Sequence, residues 1–295
     1  MLEINLILCP IDFSECSASA YRHAVSLAEH YRAKLVVQYV VELWRYPSAG
    51  FAVSVERYDD FCQSLCEKGK KRLQEFVKSN THGEIQPELA VHDGTASDSI
   101  LSFAQTRKAD VIVMGTHGRR GYDRLMLGSV TDRVMRRASC PVLAVCGPAC
   151  DFMAASTGPG RVHHLSRILF CADFSENSER VLEYALSVTA EYDAELTLLH
   201  VVEEVASPVK TEEAVAAAAK QLDSLISPER RQTLKMRTVV RTGKPYREII
   251  QLAREAQIDL VAMGVRGRGA LDLAVFGSTT YRVIQLGPCP VLVHV

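Results

Sequence analysis

The sequence predicts an α/β protein of two tandem domains, each a five-stranded parallel sheet covered by helices. Three observations predict it. The chain repeats itself along its length, each repeat alternates short apolar runs with helix-like runs, and each carries the same spaced glycines near its end. ILCPIDFSECSASAYRHAVSLA (Ile7–Ala28) aligns with ILFCADFSENSERVLEYALSVT (Ile168–Thr189). AKLVVQYVVE aligns with AELTLLHVVE, HDGTASDSILSFAQTRKADVIVMG with RTGKPYREIIQLAREAQIDLVAMG, and SCPVLAV with PCPVLVH. Asp12 precedes Asp173 by 161 residues, but Gly115 precedes Gly264 by 149, so the second repeat is shorter by twelve residues. They are lost between its second strand and third helix.

Each element of the first repeat has a local reason. Ile4–Ile11 is rich in β-formers and reads as a strand. Ser14 is a plausible N-cap for a helix over Ser14–Tyr31, with Ala18, Tyr21, Ala24, Val25 and Ala28 at helical spacing. Leu35–Val41 is the second strand and Val53–Ser79 a long charged helix. Ile85–Val91 is a weaker, more polar third strand. Gly94-Thr95 opens a helix over Ala96–Lys108, and Asp110–Gly115 is the fourth strand. Gly128–Arg137 is a helix, and Pro141–Val145 the fifth strand. The continuous apolar runs fit strands buried on both faces of a parallel sheet. Residues 147–166 hold Gly-Pro and Pro-Gly elements with little periodicity. The expected division is therefore a domain over 1–147, a linker over 148–165 and a domain over 166–295.

Composition narrows the function. The 295 residues carry a net charge of -1, with 47% hydrophobic and 23% charged residues. No global field draws the protein to nucleic acid, and no apolar stretch reaches membrane-spanning length. MLEINLILCPIDFSE lacks the marks of a signal peptide and reads as a mature strand. Nine cysteines, several in apolar runs, read as small buried hydrophobes in a reducing cytosol. Cys62 and Cys66, at i,i+4, read as two thiols on one helix face; the alternative is a pair of metal ligands. Cys146 and Cys150 straddle a strand end and are read the same way.

The glycines point to a ligand. Gly115-x2-Gly118-x9-Gly128-Ser129 recurs as Gly264-x2-Gly267-x9-Gly277-Ser278, each copy leading from a strand-like run into a helix-like run. In open parallel sheets ligands sit beyond the carboxyl ends of the strands, where strand order reverses. Gly115 and Gly118 are expected to allow close backbone approach and positive φ. The free amides at Gly128, with the hydroxyls of Ser129 and Thr131 (Ser278 and Thr280 in the second repeat), can donate to phosphate oxygens. Asp12 and Asp173 can accept from a ribose or base, or help hold Mg2+. Val40 and Val201 offer an apolar wall for a purine. The loop arginines Arg119, Arg120, Arg266 and Arg268 either contact phosphate or are solvated. Each feature has a plainer reading: Asp12 and Ser129 as helix caps, Gly115 as a strand-end glycine, His117 as a loop histidine. No P-loop, nucleophile elbow, zinc-protease or kinase motif is present, so no catalytic residue is assigned.

DFSE after the first strand, YV or HV in the second, and MG[TV]xG-x9-GS[VT]T before a final PVL strand resemble the universal stress protein family. The resemblance covers both repeats and the nucleotide-binding branch. It implies a Rossmann-like sheet related to other adenine-nucleotide binders, and ATP or AMP as ligand. Adenine is implied near Val40 and Asp12, with ribose and phosphates along Gly115, Gly118, Gly128, Ser129, Val130 and Thr131. The matches in the second repeat are Asp173, Val201, Gly264, Gly267, Gly277, Ser278, Thr279 and Thr280. Cys-Pro-Ile-Asp12 keeps the family's Pro-x-Asp, whereas Cys-Ala-Asp173 lacks the proline, which favours the first site. Family members dimerise through the last strand, so Pro141–Val145 and Pro290–Val295 are expected to pair within the chain, with association of two chains as a further option. The implied role is a cytoplasmic stress sensor or regulator with an unidentified protein partner. The alternatives are a slow ATPase and a nucleotide-independent scaffold.

Overall fold

Ile7, Leu8 and Cys9 are successive residues of one strand, and all three are fully buried. Side chains alternate between faces along a strand, so both faces must be covered. The computed structural model describes residues 3–43, 55–81, 85–118, 127–146, 165–203, 208–265 and 277–294. The protein divides into two compact units, Ile4–Pro148 and Ala149–Val295.

The first unit runs β1 (Leu6–Pro10), α1 (Glu15–Tyr31), β2 (Lys34–Val41), α2 (Val55–Asn80), β3 (Glu88–Asp93), α3 (Ala96–Arg107), β4 (Val111–Gly115), α4 (Ser129–Arg137) and β5 (Val142–Val145). Its strands lie in the order β3-β2-β1-β4-β5, all parallel. The second unit runs β6 (Arg167–Cys171), α5 (Glu176–Glu191), β7 (Glu195–Val202), α6 (Pro208–Ser224), α7 (Pro228–Thr233), β8 (Lys235–Thr242), α8 (Pro245–Glu255), β9 (Leu260–Gly264), α9 (Ser278–Leu286) and β10 (Val291–His294). Its order, β8-β7-β6-β9-β10, repeats the first. The shorter connection of the second unit carries α6 and α7 where the first has one helix of 26 residues.

Local chemistry sets the ends of the elements. Ser14 caps α1 by accepting from Ser17 N at 3.2 Å, and Ser175 caps α5 by accepting from Ser178 N at 3.3 Å. The third strand starts at Glu88 rather than the expected Ile85. At the opposite end of the sheet from the glycines, Asp110 Oδ2 accepts from Asn5 N and Leu6 N at 2.7 and 2.8 Å. Asp259 Oδ2 does the same for Ser166 N and Arg167 N at 2.8 and 2.9 Å. Each aspartate clamps the fourth strand of its unit to the start of the first. The helix faces that cover the sheet are small or aromatic: Ala20, Tyr21 and Ala24 on α1, Val181 and Ala185 on α5, all fully buried. Burying one large apolar side chain of this kind is worth about 1.5–3 kcal/mol. Among the described residues no helix is long and apolar enough to cross a membrane.

Candidate functional site

Strand order reverses at β1, whose neighbours β2 and β4 lead off in opposite directions. In an open parallel sheet this is the place where a ligand crevice is expected, beyond the strand ends. The backbone leaves β1 through Ile11, whose N–H donates to Gln38 O at 2.9 Å, and turns at Asp12-Phe13-Ser14. Phe13 has φ 65°, and its counterpart Phe174 has φ 59°. For a residue with a Cβ this conformation costs about 1–2 kcal/mol, so surrounding contacts must hold it. The Phe13 ring lies 4.7 Å from the Tyr39 ring and 5.7 Å from that of Phe76, with the Arg72 guanidinium 4.2 Å above it. Phe174 instead meets His200 at 4.5 Å, and His200 Nδ1 donates to Ala172 O at 2.7 Å.

This turn aims the aspartate. Asp12 Oδ1 accepts from Ser14 N at 3.0 Å, and a Cβ on Gly118 would lie 2.8 Å from Asp12 Oδ2. The carboxylate therefore rests against the Gly118 backbone. Asp173 Oδ1 likewise accepts from Ser175 N at 3.0 Å, and also from Ser175 Oγ at 2.6 Å. In both units the serine caps the helix, and the aspartate fixes the turn before it.

The glycines are required by space, not by conformation. The expectation of positive φ at Gly115 and Gly118 is corrected: among the described glycines only Gly94 and Gly243 have it. A Cβ on Gly115 would lie 2.8–3.0 Å from Cys16 of α1, its backbone carbonyl group included. Gly115 thus lets β4 pack against the first turn of α1. A Cβ on Gly128 would meet Thr116 O at 3.1 Å, and Gly128 N donates to that same oxygen at 2.8 Å. Gly277 N donates to Val265 O at 3.0 Å in the second unit. These bonds fold the start of α4 and of α9 back onto the preceding strand end.

Gly128 and Gly277 have no side-group with which to cap their helices. The first-turn amides of Ser129, Val130 and Thr131, and of Ser278, Thr279 and Thr280, have no intrahelical acceptor, which leaves positive potential at each helix start. Ser129 and Ser278 are exposed. The hydroxyls of Thr131 and Thr280 are not the phosphate donors expected of them. Each gives its proton to a strand-end carbonyl, Thr131 to Gly115 O at 2.8 Å and Thr280 to Gly264 O at 2.9 Å, and both side chains are buried. They lock helix to strand.

The structure therefore brings Asp12, Gly115, Gly118, Gly128 and Thr131 together, and Gly264 with Thr280. Val40 and Val201 end the second strands as buried side chains, in register with His92 and Arg241. Gly267 and the loop arginines Arg119, Arg120, Arg266 and Arg268 lie outside the described residues. Phe13 and Phe174 were not singled out in the sequence. Their signal is the repeated DFS, but nothing in it encodes a left-handed backbone. His117 Nδ1 shares a hydrogen bond with Thr116 Oγ1 at 2.8 Å, and its carbonyl accepts from Ser14 Oγ at 3.4 Å, which ties the glycine loop to the α1 cap.

No group of three metal-ligating side chains occurs among the described residues. Three buried thiols offer little reactivity: burial raises the pKa of Cys9 and Cys171 strongly and pushes Cys140 up to about 12. Cys66 is raised by burial and then by Asp93 and Cys62. All eight described cysteines are unbridged.

A sequence model described as the Universal stress protein family matches residues 3–145 and again 164–294. A universal stress protein of Methanocaldococcus jannaschii is 34% identical over 142 residues, 48% of this chain and 82% of that one. One from Mycolicibacterium smegmatis is 26% identical over 300 residues and spans both chains, 97% of this one and 96% of the other. The crystal structure of a universal stress protein from Archaeoglobus fulgidus covers 99% of this chain and 98% of its own, with TM-score 0.69 at 20% identity. That likeness is one of fold.

Proposed function

The chain belongs to the universal stress protein family, and on that premise we propose that it binds an adenine nucleotide, ATP or AMP, and acts as a regulator of a stress response. One juxtaposition carries the reading: the uncapped start of α4 stands beside the Asp12 carboxylate, with Gly118 between them. Backbone amides at a helix start suit phosphate oxygens. A fixed carboxylate a few ångströms away suits a ribose hydroxyl or a base N–H. Val40 is the apolar wall on which the purine rests.

The residues fit a nucleotide better than a metal. Asp12 offers one carboxylate, already engaged by Ser14 N, so Mg2+ would arrive on the phosphates rather than occupy a site of the protein's own. The protein's work is binding and orientation, and no residue is assigned a catalytic step. The buried, unbridged thiols suit a reducing compartment such as the cytoplasm.

Mass spectrometry of small molecules released from the purified full-length protein should find AMP or ATP. Calorimetric titration with each, with and without Mg2+, should show at least one saturable site. A protein that releases no nucleotide and gives no heat with either one overturns the reading.

A further inference from the structure

Asp98 of α3 pairs with Arg137 of α4 at 2.9 Å, closing the seam between those helices with opposite charges. In the second unit the aligned residues are Arg247 of α8 and Leu286 of α9, and Leu286 is 40% exposed. Ser97, buried, is replaced by Tyr246. The ion pair is gone, and two cations converge on the new phenol. Arg247 Nε donates to Tyr246 Oη at 3.1 Å. The Arg282 guanidinium stands 4.6 Å from the Tyr246 ring centroid and that of Arg247 5.8 Å.

Among the described residues no carboxylate balances them. The acids of α8, Glu248 and Glu255, are both engaged by Arg241, and α9 contains no acidic residue. Among the described residues neither Arg247 nor Arg282 has an ion-pair partner. Both are exposed, as is Lys244 at the start of α8. One phenol oxygen cannot serve the ten N–H donors of two guanidinium groups, which leaves most of them to water or to an anion that displaces it. The group that matches two planar forks and a phenolic O–H is a tetrahedral oxyanion.

We propose that Tyr246, Arg247 and Arg282 form a second-unit site for the dianionic phosphate group of a small molecule. Arg247 and Arg282 grip its oxygens from two helices, and the Tyr246 O–H donates a further bond. The site does not depend on the nucleotide reading. Hydrogen bonding from Arg247 and the charges of both arginines hold the Tyr246 phenol below its ordinary pKa. A bound anion draws those charges away and returns the phenol toward that value.

The test is carbon NMR of the full-length protein labelled at tyrosine, with the Tyr246 resonance assigned by Tyr246→Phe. Inorganic phosphate and glycerol phosphate are titrated in turn, with AMP present in excess throughout. Either one should move the resonance saturably and raise its titration midpoint, and the tighter of the two identifies the source of the phosphate. Arg247→Gln with Arg282→Gln should weaken the response about tenfold or more, with the double lysine variant in between. The proposal is overturned if the resonance stays still, if chloride at equal ionic strength moves it as far, or if the double glutamine variant responds like the parent. Because the readout sits on Tyr246, failure of AMP to bind its own crevice would not be mistaken for failure here.

Discussion

At the end of the first strand the two halves are nearly superimposable in chemistry. Asp12 and Asp173 each accept from the serine two residues on, and Phe13 and Phe174 share a left-handed backbone. Thr131 and Thr280 each bond a strand-end glycine. At the third strand the halves are opposites. Glu88 sits between Lys34 and Arg107, whereas its counterpart Arg237 faces Glu195. The contrast separates two kinds of constraint. Backbone turns and their hydrogen bonds admit few side chains, so they were kept. A surface ion pair works in either polarity, so it could be inverted, or abandoned as at Arg247.

If the kept features are constraints of space, adding one methyl group should break them. The largest effect is expected for Gly115→Ala, because the new Cβ meets backbone atoms of Cys16 that cannot rotate away. Overpacking of this kind costs about 1–3 kcal/mol, read as a lower denaturant midpoint. An unchanged midpoint would show that α1 can slide off β4. Gly118→Ala comes next and separates stability from binding. Among the described residues its Cβ meets only the Asp12 carboxylate, the end of a side chain, so the fold should survive while Asp12 swings out of place. AMP affinity of the first half should fall about tenfold, near 1.4 kcal/mol. Full retention of affinity would remove Asp12 from the proposed site.

Much of this was legible in the repeats. Apolar runs and their order announced the parallel sheet, since a strand buried on both faces leaves no other pattern. Ser14 announced its helix, because a cap is a local interaction. The glycine spacing marked where strand ends meet helix starts but not the reason for each glycine. Gly115 answers to Cys16, about a hundred residues away in sequence, and no local pattern carries that contact. The same holds for Thr131, whose hydroxyl suits a phosphate on paper and is spent on Gly115 O in the fold. Asp110 and Asp259 were passed over for a similar reason: the amides they clamp lie at the far end of the sequence repeat.

The inverted charges predict a smaller effect with a definite pH range. Hydrogen bonding from Arg107, then from Lys34, holds the Glu88 carboxyl down at about 2, below its ordinary 4.5. A depressed carboxylate stabilises the fold fully above its unfolded pKa, and that contribution is lost as pH falls toward the folded value. The β3 edge of the first half should therefore loosen between pH 4.5 and about 2. Glu88 is partly exposed, so after solvent screening the effect is about 1 kcal/mol or less. Hydrogen exchange at Ala90 and His92 should speed up across that range in the parent and much less so in Glu88→Gln. Equal profiles for the two would remove the ion pair as the cause.

The smallest effect is expected where the halves differ by one residue at a strand end, Val145 in β5 and His294 in β10. The His294 ring packs edge-on against Tyr184 at 5.4 Å, and its Nδ1 is buried with no hydrogen-bond partner among the described residues. Burial, and then the charge of Arg180, lower its pKa below the ordinary 6.5. Tyr184 and Arg180 face it from α5, and Gly264 lies beside it on β9. The unfolded state then binds a proton that the folded state resists, so the contribution to stability is complete above pH 6.5 and declines below it. His294→Val, which copies the first half, should abolish that decline. Thermal midpoints measured from about pH 7 down to about 5 should fall in the parent and stay flatter in the variant. Parallel slopes would mean that the imidazole finds a proton acceptor when charged, and that this position, like the third strand, tolerates either half's solution.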